Sequence, residues 1–236
     1  MGRAAGDFSV QVDPDQNMVA GVLLDGLSLQ EDGAHHWMNP SLGHKSFVFC
    51  QKGGRGRAYV SYPALTEYGF NGASGFSQFL EAARVTGVPD EIFGSATVSG
   101  PLATFNGAHN WVEHPYRKGL ALIGDAGGAS DPSWGQGLAL AIHDAKLLSE
   151  NLMTDEDWDK AGNAYAVQHD RDFGIRHTFE NWMSEVLCDT GPDADKRRER
   201  ILPMWHQGRS RNPMTIVNGP SKQLDETVRK RFFCED

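Results

Sequence analysis

The segment from residue 119 to residue 152 constrains the fold more than any other part of the chain. Residues 120–123 form a continuous apolar run, which predicts a strand buried on both faces. A glycine-rich turn and loop, residues 124–137, follow this run. Apolar residues then recur at the spacing of an α-helix, and they are Leu138, Ala141, Ile142, Ala145, Leu148 and Leu152. The segment therefore predicts a strand, a glycine-rich loop and a buried helix, in that order.

The loop between this strand and this helix has the residues of a polar ligand site. Asp125 stands at the end of the predicted strand, and the glycines around it let another molecule approach the backbone closely. The first N–H groups of a helix have no partner within the helix and favour negative charge. Phosphate, sugar hydroxyls or an anionic ring would suit such a site. The residues are equally consistent with a tight structural turn in which Asp125 only caps the helix.

Three sequence motifs in this segment resemble those of a known family. They are G-D-A at residues 124–126, P-x-x-G-Q-G at residues 132–137 and D-A-x-x-L at residues 144–148. In this order and spacing they closely resemble the second FAD-binding signature of the class A flavin-dependent monooxygenases, the para-hydroxybenzoate hydroxylase-like family. The resemblance implies eight cofactor-binding residues, which are Gly124, Asp125, Ala126, Pro132, Gly135, Gln136, Gly137 and Leu138.

The resemblance also implies a role for each part of the loop. In that family the aspartate that matches Asp125 accepts hydrogen bonds from the ribityl chain of FAD, and the loop that matches residues 132–137 lies beside the isoalloxazine ring. The helix start at Gly137 and Leu138 directs N–H groups at the pyrimidine edge of the flavin, where the reduced ring is anionic. Asp144 matches a family position with a mostly structural role.

A function is implied by the same resemblance. It is that of an FAD-dependent monooxygenase, which uses NAD(P)H and oxygen to hydroxylate a small, usually aromatic, substrate. Because the flavin supplies the chemistry, we expect neither a catalytic side chain nor a metal ion. The resemblance assigns no residue to the substrate pocket.

The chain departs from the family in its first FAD-binding motif. Members begin with a strand, a G-x-G-x-x-G turn and a helix that hold the ADP half of FAD, and no G-x-G-x-x-G occurs in this sequence. Gly54-x-Gly56 and Gly135-x-Gly137 each lack the third glycine, and Gly2-Arg3 is at most a distorted remnant of the central D-G motif. We therefore expect an N-terminally truncated chain that binds FAD weakly or not at all by itself.

An alternative of a different class is a non-catalytic fragment that retains half of a flavin site. A related alternative is a subunit that completes its site with a separate dinucleotide-binding chain. Both predict exposed apolar surface where the missing portion would pack. Such a surface favours association, either as a homodimer or with the missing N-terminal FAD-binding chain.

The rest of the sequence predicts an α+β fold that is part of an α/β FAD-binding fold. Residues 1–110 are expected to form a β-sheet substrate-binding domain. Its predicted elements are a hairpin of residues 8–12 and 18–24 around a turn at residues 13–15, a hairpin of residues 46–50 and 57–62, a helix from Ser74 that Gly87 and Pro89 end, and strands at residues 96–99 and 102–105.

Residues 111–236 are expected to form the C-terminal FAD-binding portion with a helical tail. Thr154 and Asp157 resemble a capping box for a long helix that Gly191-Pro192 ends. Its predicted apolar positions are Trp158, Ala161, Tyr165, Phe179, Trp182, Met183 and Val186. Residues 193–200 mix both signs of charge and predict a solvated helical face, and residues 221–233 predict a last short helix.

Composition excludes several classes of partner. The net charge of −9 disfavours binding to nucleic acid or to an anionic membrane, because both carry negative charge. No window of 18 apolar residues and no leader peptide is recognisable, so the sequence predicts a soluble, cytoplasmic protein. The three cysteines are far apart and are expected to be ordinary thiols.

Metal and hydrolase sites were considered from spacing and set aside. His109 and His114 are one residue too far apart for H-x-x-E-H, and the adjacent His35 and His36 would point apart in a strand. No G-x-S-x-G occurs. Aromatic residues in strands are more often core than pocket, so four are assigned to the core and Trp134, inside the loop, to a pocket. The four core assignments are Trp37, Tyr59, Tyr62 and Trp111.

Overall fold

A computed structural model describes residues 2–14, 17–29, 33–70, 74–206 and 224–235. Within these residues the chain has the mixed α+β fold that the sequence predicts. No helix in the described part is both long enough and apolar enough to cross a membrane.

The chain forms two compact units, each built from separate segments. The first comprises Met1–Pro14, Ala108–Ser184 and Lys196–Asp236, and the second comprises Asp15–Gly107 and Glu185–Asp195. The sequence-based division into residues 1–110 and 111–236 stays a prediction.

An antiparallel sheet forms the body of the second unit. Its strands run in the order β3-β4-β5-β2-β6, and β7 also pairs with β2. The strands are β2 (Asn17–Asp25), β3 (Ala34–Asn39), β4 (His44–Cys50), β5 (Gly56–Pro63), β6 (Thr97–Val98) and β7 (Ala103–Asn106). Strand β2 is central and pairs with β5 along almost its whole length, from Asn17 opposite Pro63 to Leu24 opposite Gly56.

The predicted hairpin of residues 46–50 and 57–62 is confirmed. Strands β4 and β5 pair antiparallel, with Cys50 opposite Gly56. The turn between them contains Gly53 and Gly54, whose φ angles are 76° and 69°. Only glycine adopts such angles at low cost, so these two residues set the chain reversal.

The predicted hairpin of residues 8–12 and 18–24 is wrong. Only Gln11–Val12 forms a strand, β1, and it pairs with β8 (Asn110–Trp111). Both edges of β2 are taken, one by β5 and the other by β6 and β7, so no edge is left for residues 8–12. Asp15, part of the predicted turn, lies outside the described residues.

Helices and short strands near the sheet agree with the sequence. Helix α2 (Gly75–Val85) buries Phe79, Ala82 and Ala83 in the apolar core of the sheet. It is followed by Gly87, with φ at 93°, and by the short helix α3 (Asp90–Phe93). Strands β6 and β7 confirm the two strands predicted at residues 96–99 and 102–105.

Short antiparallel strands organise the first unit. Strand β8 lies between β1 and β11, and β9 pairs with β10. The bounds of the new strands are β9 (Tyr116–Arg117), β10 (Leu120–Ala121) and β11 (Gly128–Ala129). Within the described residues the remaining α-helices are α1 (Gly2–Ala5), α4 (Gly137–Thr154), α5 (Trp158–Leu187), α6 (Pro192–His206) and α7 (Glu226–Phe232).

The apolar run at residues 120–123 is not a strand buried on both faces. It contains the two-residue strand β10, which forms an antiparallel ribbon with β9. Gly119, with φ at 77°, closes the turn between these strands. Burial then alternates, since Leu122 is buried while 39% of Ile123 is exposed. The order of strand, loop and helix is nevertheless as predicted.

Helix α4 is also not the buried helix that its apolar spacing predicts. Asp144 is its only buried residue. Leu138 and Ile142 are 77% and 62% exposed, and Leu152 and Met153 are exposed as well. These four residues are called the α4 apolar face below. Periodicity shows that a helix has an apolar side, but it cannot show what covers that side.

Helix α5 buries most of the residues predicted for it. Ala161, Tyr165, Phe179, Trp182 and Val186 are buried, and Met183 is half-buried. The prediction for Trp158 is wrong, because this residue begins the helix and is largely exposed.

The start of α5 also differs from the predicted capping box. Asp157 Oδ1 accepts hydrogen bonds from the backbone N–H groups of Asp159 and Lys160, so Asp157 itself caps the helix. Thr154 instead ends α4 and donates to the carbonyl of Glu150.

The C-terminal helices agree with the sequence in part. Helix α5 ends at Leu187, four residues before the predicted stop at Gly191-Pro192, and α6 begins at Pro192 after Gly191, whose φ is 103°. The run of residues 193–200 is not solvated throughout, because Ala194 and Arg198 are buried. Helix α7 begins after Asp225, whose carboxylate accepts from the N–H of Val228. The predicted start of this helix, residues 221–223, lies outside the described residues.

Candidate cofactor-binding site

A single turn of 3₁₀ helix, Gly124–Ala126, connects β10 to the loop. Gly124 has φ at 56°, and a Cβ atom on it would lie 3.0 Å from the Cβ of Ala141 on α4. Its N–H donates to Oδ2 of Asp144 at 2.8 Å. The glycine therefore allows the turn to lie directly on α4, and the aspartate holds it there.

Asp144 has the structural role that the resemblance implies. It is buried, and its carboxylate contacts the Gly124 N–H and lies 3.8 Å from Nε2 of His169. Burial raises the pKa of Asp144, while His169 and the Gly124 N–H act in the opposite direction.

The side chain of Arg3 holds the same turn from a distant part of the sequence. Nε donates to the carbonyl of Ala126 at 2.8 Å, and Nη2 donates to the carbonyl of Asp125 at 2.6 Å. Nη1 donates to Oδ1 of Asn110 at 2.9 Å. Sequence reasoning missed this role and considered Gly2-Arg3 only as a motif remnant. No local signal could have found it, because the partners lie more than 100 residues away.

The carboxylate of Asp125 is open to a ligand. Asp125 is exposed, and none of the described residues donates a hydrogen bond to its side chain. A Cβ atom on Gly137 would lie 3.8 Å from Oδ1 of Asp125, so this carboxylate stands beside the first residue of α4. Asp125 does not cap the helix, which removes the purely structural alternative for its side chain.

The N-terminus of α4 has no side-chain cap. Gln136 occupies the N-cap position, but its side chain donates to the carbonyl of Trp134 instead. The first backbone hydrogen bond at this end runs from the N–H of Leu140 to the carbonyl of Gln136. The N–H groups of Gly137, Leu138 and Ala139 therefore precede the first helical bond and are available to a ligand.

The loop before α4 is pre-formed by local hydrogen bonds. Asp131 is buried, and its Oδ1 accepts from the N–H of Ser133 at 2.8 Å at the start of the 3₁₀ turn Pro132–Trp134. Gly135, with φ at 67°, ends this turn. Trp134 is half-buried, and its assignment to a pocket stays a prediction.

These residues fit the flavin half of FAD on their own chemistry. An open carboxylate can accept hydrogen bonds from a polyhydroxyl chain, and N–H groups at a helix start stabilise negative charge on a ring. Gly124 and Gly135, both with positive φ, have no side chain and so leave the backbone of the loop accessible to a ligand. The structure thus brings the eight predicted residues together around one turn and one helix start.

A separate concave surface lies in the second unit. This cavity has a volume of about 330 Å³, and its lining includes Met18, Tyr62, Tyr68, Phe70 and Thr104. Tyr62 and Tyr68 meet edge to face, with ring centroids 5.0 Å apart. Tyr62 is buried, as predicted, and also lines this cavity.

The other three residues assigned to the core are only partly buried. Trp37 is partly buried and packs against the core of the sheet. Tyr59 is half-buried, and its ring meets that of Phe49 edge to face. Trp111, also half-buried, contacts Phe173 in the first unit.

Comparison with known proteins gives a match in structure but not in sequence. No protein-family model matches the chain, and no curated protein matches it. The structure is similar to that of Klebsiella pneumoniae HpxO complexed with FAD and uric acid, with a TM-score of 0.66 and 17% identity over 92% of this chain and 57% of that one. The described residues thus share the fold of part of that protein.

Halogenases show the same fold. The flavin-dependent brominase Bmp2 matches with a TM-score of 0.65 and 15% identity, over 96% of this chain and 53% of that one. The myxobacterial chondrochloren halogenase CndH, a new variant of FAD-dependent halogenases, matches with a TM-score of 0.64 and 10% identity. This match covers 96% of this chain and 57% of that one. The chain spans little more than half the length of these solved structures.

Proposed function

We propose that this chain forms the sheet and α4 portion of an FAD-dependent monooxygenase that acts on a small, aromatic-type substrate. One observation supports the proposal above all. The open carboxylate of Asp125 stands beside the uncapped start of α4, in a chain with the fold of FAD-dependent enzymes. The motifs at residues 124–126, 132–137 and 144–148 support the more specific assignment to the class A monooxygenases.

Each residue of the loop has a defined task in this proposal. Asp125 accepts hydrogen bonds from the ribityl hydroxyls, and the N–H groups of Gly137 and Leu138 stabilise negative charge on the ring. Gly124 and Gly135 keep the backbone accessible. Ala126, Pro132 and Gln136 lie beside the isoalloxazine ring. Bound FAD would supply the redox and oxygen chemistry, with NAD(P)H as its reductant.

The cavity of the second unit is the proposed substrate pocket. Its aromatic side chains suit a flat apolar ring, and Thr66 and Thr104, which also line it, suit a hydroxyl substituent. The hydroxyl of Tyr68 lies 2.9 Å from Nε2 of His44, so the tyrosine is held in a fixed orientation.

Flavin fluorescence titration with the purified chain tests the cofactor assignment. Wild type is expected to bind FAD weakly, with a dissociation constant in the micromolar range or above, and Asp125→Asn is expected to bind roughly 10-fold more weakly because a charge-assisted hydrogen bond is lost. Asp7→Asn is the matched control, since Asp7 is also an exposed carboxylate of the first unit and asparagine tolerates its φ of 52°. Equal FAD affinity in wild type and Asp125→Asn would contradict the assignment.

A second candidate function is that of a subunit, or a non-catalytic fragment, that requires a separate dinucleotide-binding chain. The exposed α4 apolar face favours it, because large exposed apolar patches mark surfaces that bind another protein. The test is a fusion of this chain to the segment of HpxO that the structural match leaves uncovered. We expect the fusion to bind FAD at least 10-fold more tightly than the chain alone, because it restores contacts to FAD that an incomplete site lacks. A folded fusion with no gain in FAD affinity would exclude this candidate.

A further inference from the structure

Three ligating side chains meet in the first unit, away from the glycine-rich loop. Asp13 directly follows β1, and His109 directly precedes β8, so the pairing of these two strands makes them neighbours. The N–H of Asp13 donates to the carbonyl of His109 at 2.9 Å. His177, on α5, completes the group.

The three side chains are close enough together to share one ion. One ligating atom from each of Asp13, His109 and His177 lies within 4.8 Å of the other two. Nε2 of His177 is 2.6 Å from Oδ2 of Asp13, and the two imidazole rings have centroids 4.9 Å apart. We propose that Asp13, His109 and His177 bind one divalent transition-metal ion of the zinc type, an ion that favours imidazole and carboxylate ligands.

A second observation points to a ligand here. His109 is buried, and its Nδ1 has no hydrogen-bond partner in the described structure. Oε2 of Glu180 lies 3.4 Å from this nitrogen. Glu180 is fully buried, and neither of its carboxylate oxygens has a hydrogen-bond partner there, although Nε of the buried Arg176 lies 3.7 Å from Oε1. Ordinary folded proteins satisfy such groups, so a buried imidazole beside a buried carboxylate requires an explanation.

Metal binding supplies that explanation. A ligating histidine donates its other ring N–H to a carboxylate in most metal sites, and this partner fixes the tautomer. With Nε2 of His109 on the ion, Nδ1 carries the proton and faces Glu180. Glu180 is then a positioning residue for His109. A simple ion pair between Asp13 and His177, with Arg176 as the partner of Glu180, leaves the buried imidazole of His109 unexplained.

The surroundings hold the ligands in place and leave a route for the ion. The ring of His177 packs against those of Trp111 and Phe173, with centroids 4.9 Å and 5.9 Å away. The side chains of Asp13 and His177 are 16% and 20% exposed, so the ion can enter from solvent. Three protein ligands leave a coordination position for water or another small ligand.

The test is titration of the full chain with Co²⁺ and Zn²⁺ after treatment with a chelator. We expect one Co²⁺ per chain with the visible absorption bands of a tetrahedral site, and displacement of Co²⁺ by Zn²⁺. His177→Asn and Asp13→Asn are expected to weaken Zn²⁺ binding by roughly 100-fold or more, and Glu180→Gln by about 10-fold, the range known for ligand-orienting partners.

His143→Asn is the matched control. Nε2 of His143 lies 3.0 Å from Asp172, and no third ligating side chain joins this pair among the described residues. The control should therefore bind Zn²⁺ like wild type. Far-UV circular dichroism of each apo variant separates loss of ligand from loss of fold, and Asp13→Asn, which lies outside the long helix α5, serves if His177→Asn unfolds. Absence of Co²⁺ bands in wild type, or Zn²⁺ affinity that is the same in all variants, would overturn the proposal.

Discussion

Gly124 and Gly135 occupy left-handed backbone conformations at the two ends of the loop, but their surroundings differ. A Cβ atom on Gly124 would meet Ala141 at 3.0 Å, whereas one on Gly135 would meet no atom within 4 Å. The first glycine is therefore needed for close packing as well as for its backbone angle, and the second for its angle alone.

This difference gives the first prediction. Gly124→Ala should lower the free energy of unfolding by about 2–3 kcal/mol, since backbone strain and a steric contact add. Gly135→Ala, which has only the strain, should cost about 1 kcal/mol. Urea denaturation of both variants measures the two values, and equal losses would show that contact with Ala141 does not matter.

The raised pKa of Asp144 gives a prediction about pH. Because burial favours the protonated carboxyl in the folded state, its contribution to stability is complete at acid pH and is lost as the pH rises from the ordinary carboxyl value of 3.8 through the folded pKa. Asp144→Asn keeps an acceptor for the Gly124 N–H but does not titrate. We expect wild type to lose stability relative to this variant as the pH rises above about 4. The free energy of unfolding is measured for both proteins by urea denaturation at several pH values. A difference between them that does not change with pH would contradict the prediction.

At the scale of elements, the junction between α4 and α5 depends on one side chain. Asp157 accepts two backbone N–H groups at the start of α5, while Thr154 only donates back to its own helix. Asp157→Ala should therefore cost about 1 kcal/mol of stability, the usual cost of losing an N-cap. Thr154→Ala should change stability by a few tenths of a kcal/mol at most. Thermal unfolding of the two variants distinguishes this arrangement from a capping box, in which both substitutions would lower the stability.

The elements that sequence predicted correctly are the ones formed by neighbouring residues. Strands β4 and β5 are joined by a short glycine turn, and α2 has its apolar spacing and its stop signal within 16 residues. The pairing of β1 with β8 joins residues about 100 positions apart, and nothing in either strand specifies the other. Local patterns determine hairpins and helices, whereas partner choice depends on which strand edges remain free.

The candidate site follows the same rule. The eight residues that the motifs assign to cofactor binding lie together around one turn and one helix start, because all of them belong to a single stretch of sequence. Arg3 belongs to the same turn, and His177 lies beside Asp13, yet both arrangements depend on tertiary contacts over more than 120 residues. Checking histidine pairs by spacing alone therefore could not find the group of Asp13, His109 and His177.

At the scale of the whole molecule, the α4 apolar face gives a prediction about association. Leu138 and Ile142 lie one helical turn apart and are both largely exposed. We expect the chain to self-associate in sedimentation velocity experiments and Ile142→Glu to shift it towards the monomer, since a charge on this face disfavours its burial. Leu65→Glu is the control, because Leu65 is 97% exposed and lies in the other unit. Association that Ile142→Glu leaves unchanged would place the contact elsewhere.

The hydrogen bonds of Arg3 have a consequence for the order of events during synthesis. Strands β2 to β7 all lie within residues 17–106, so the sheet can form as soon as this stretch has left the ribosome. Arg3 emerges before any of it, but its acceptors on Asp125 and Ala126 are made more than 120 residues later. The first segment of the chain is thus made first, and its hydrogen bonds to the turn can form only after the strands of the sheet and residues 125 and 126 have been made.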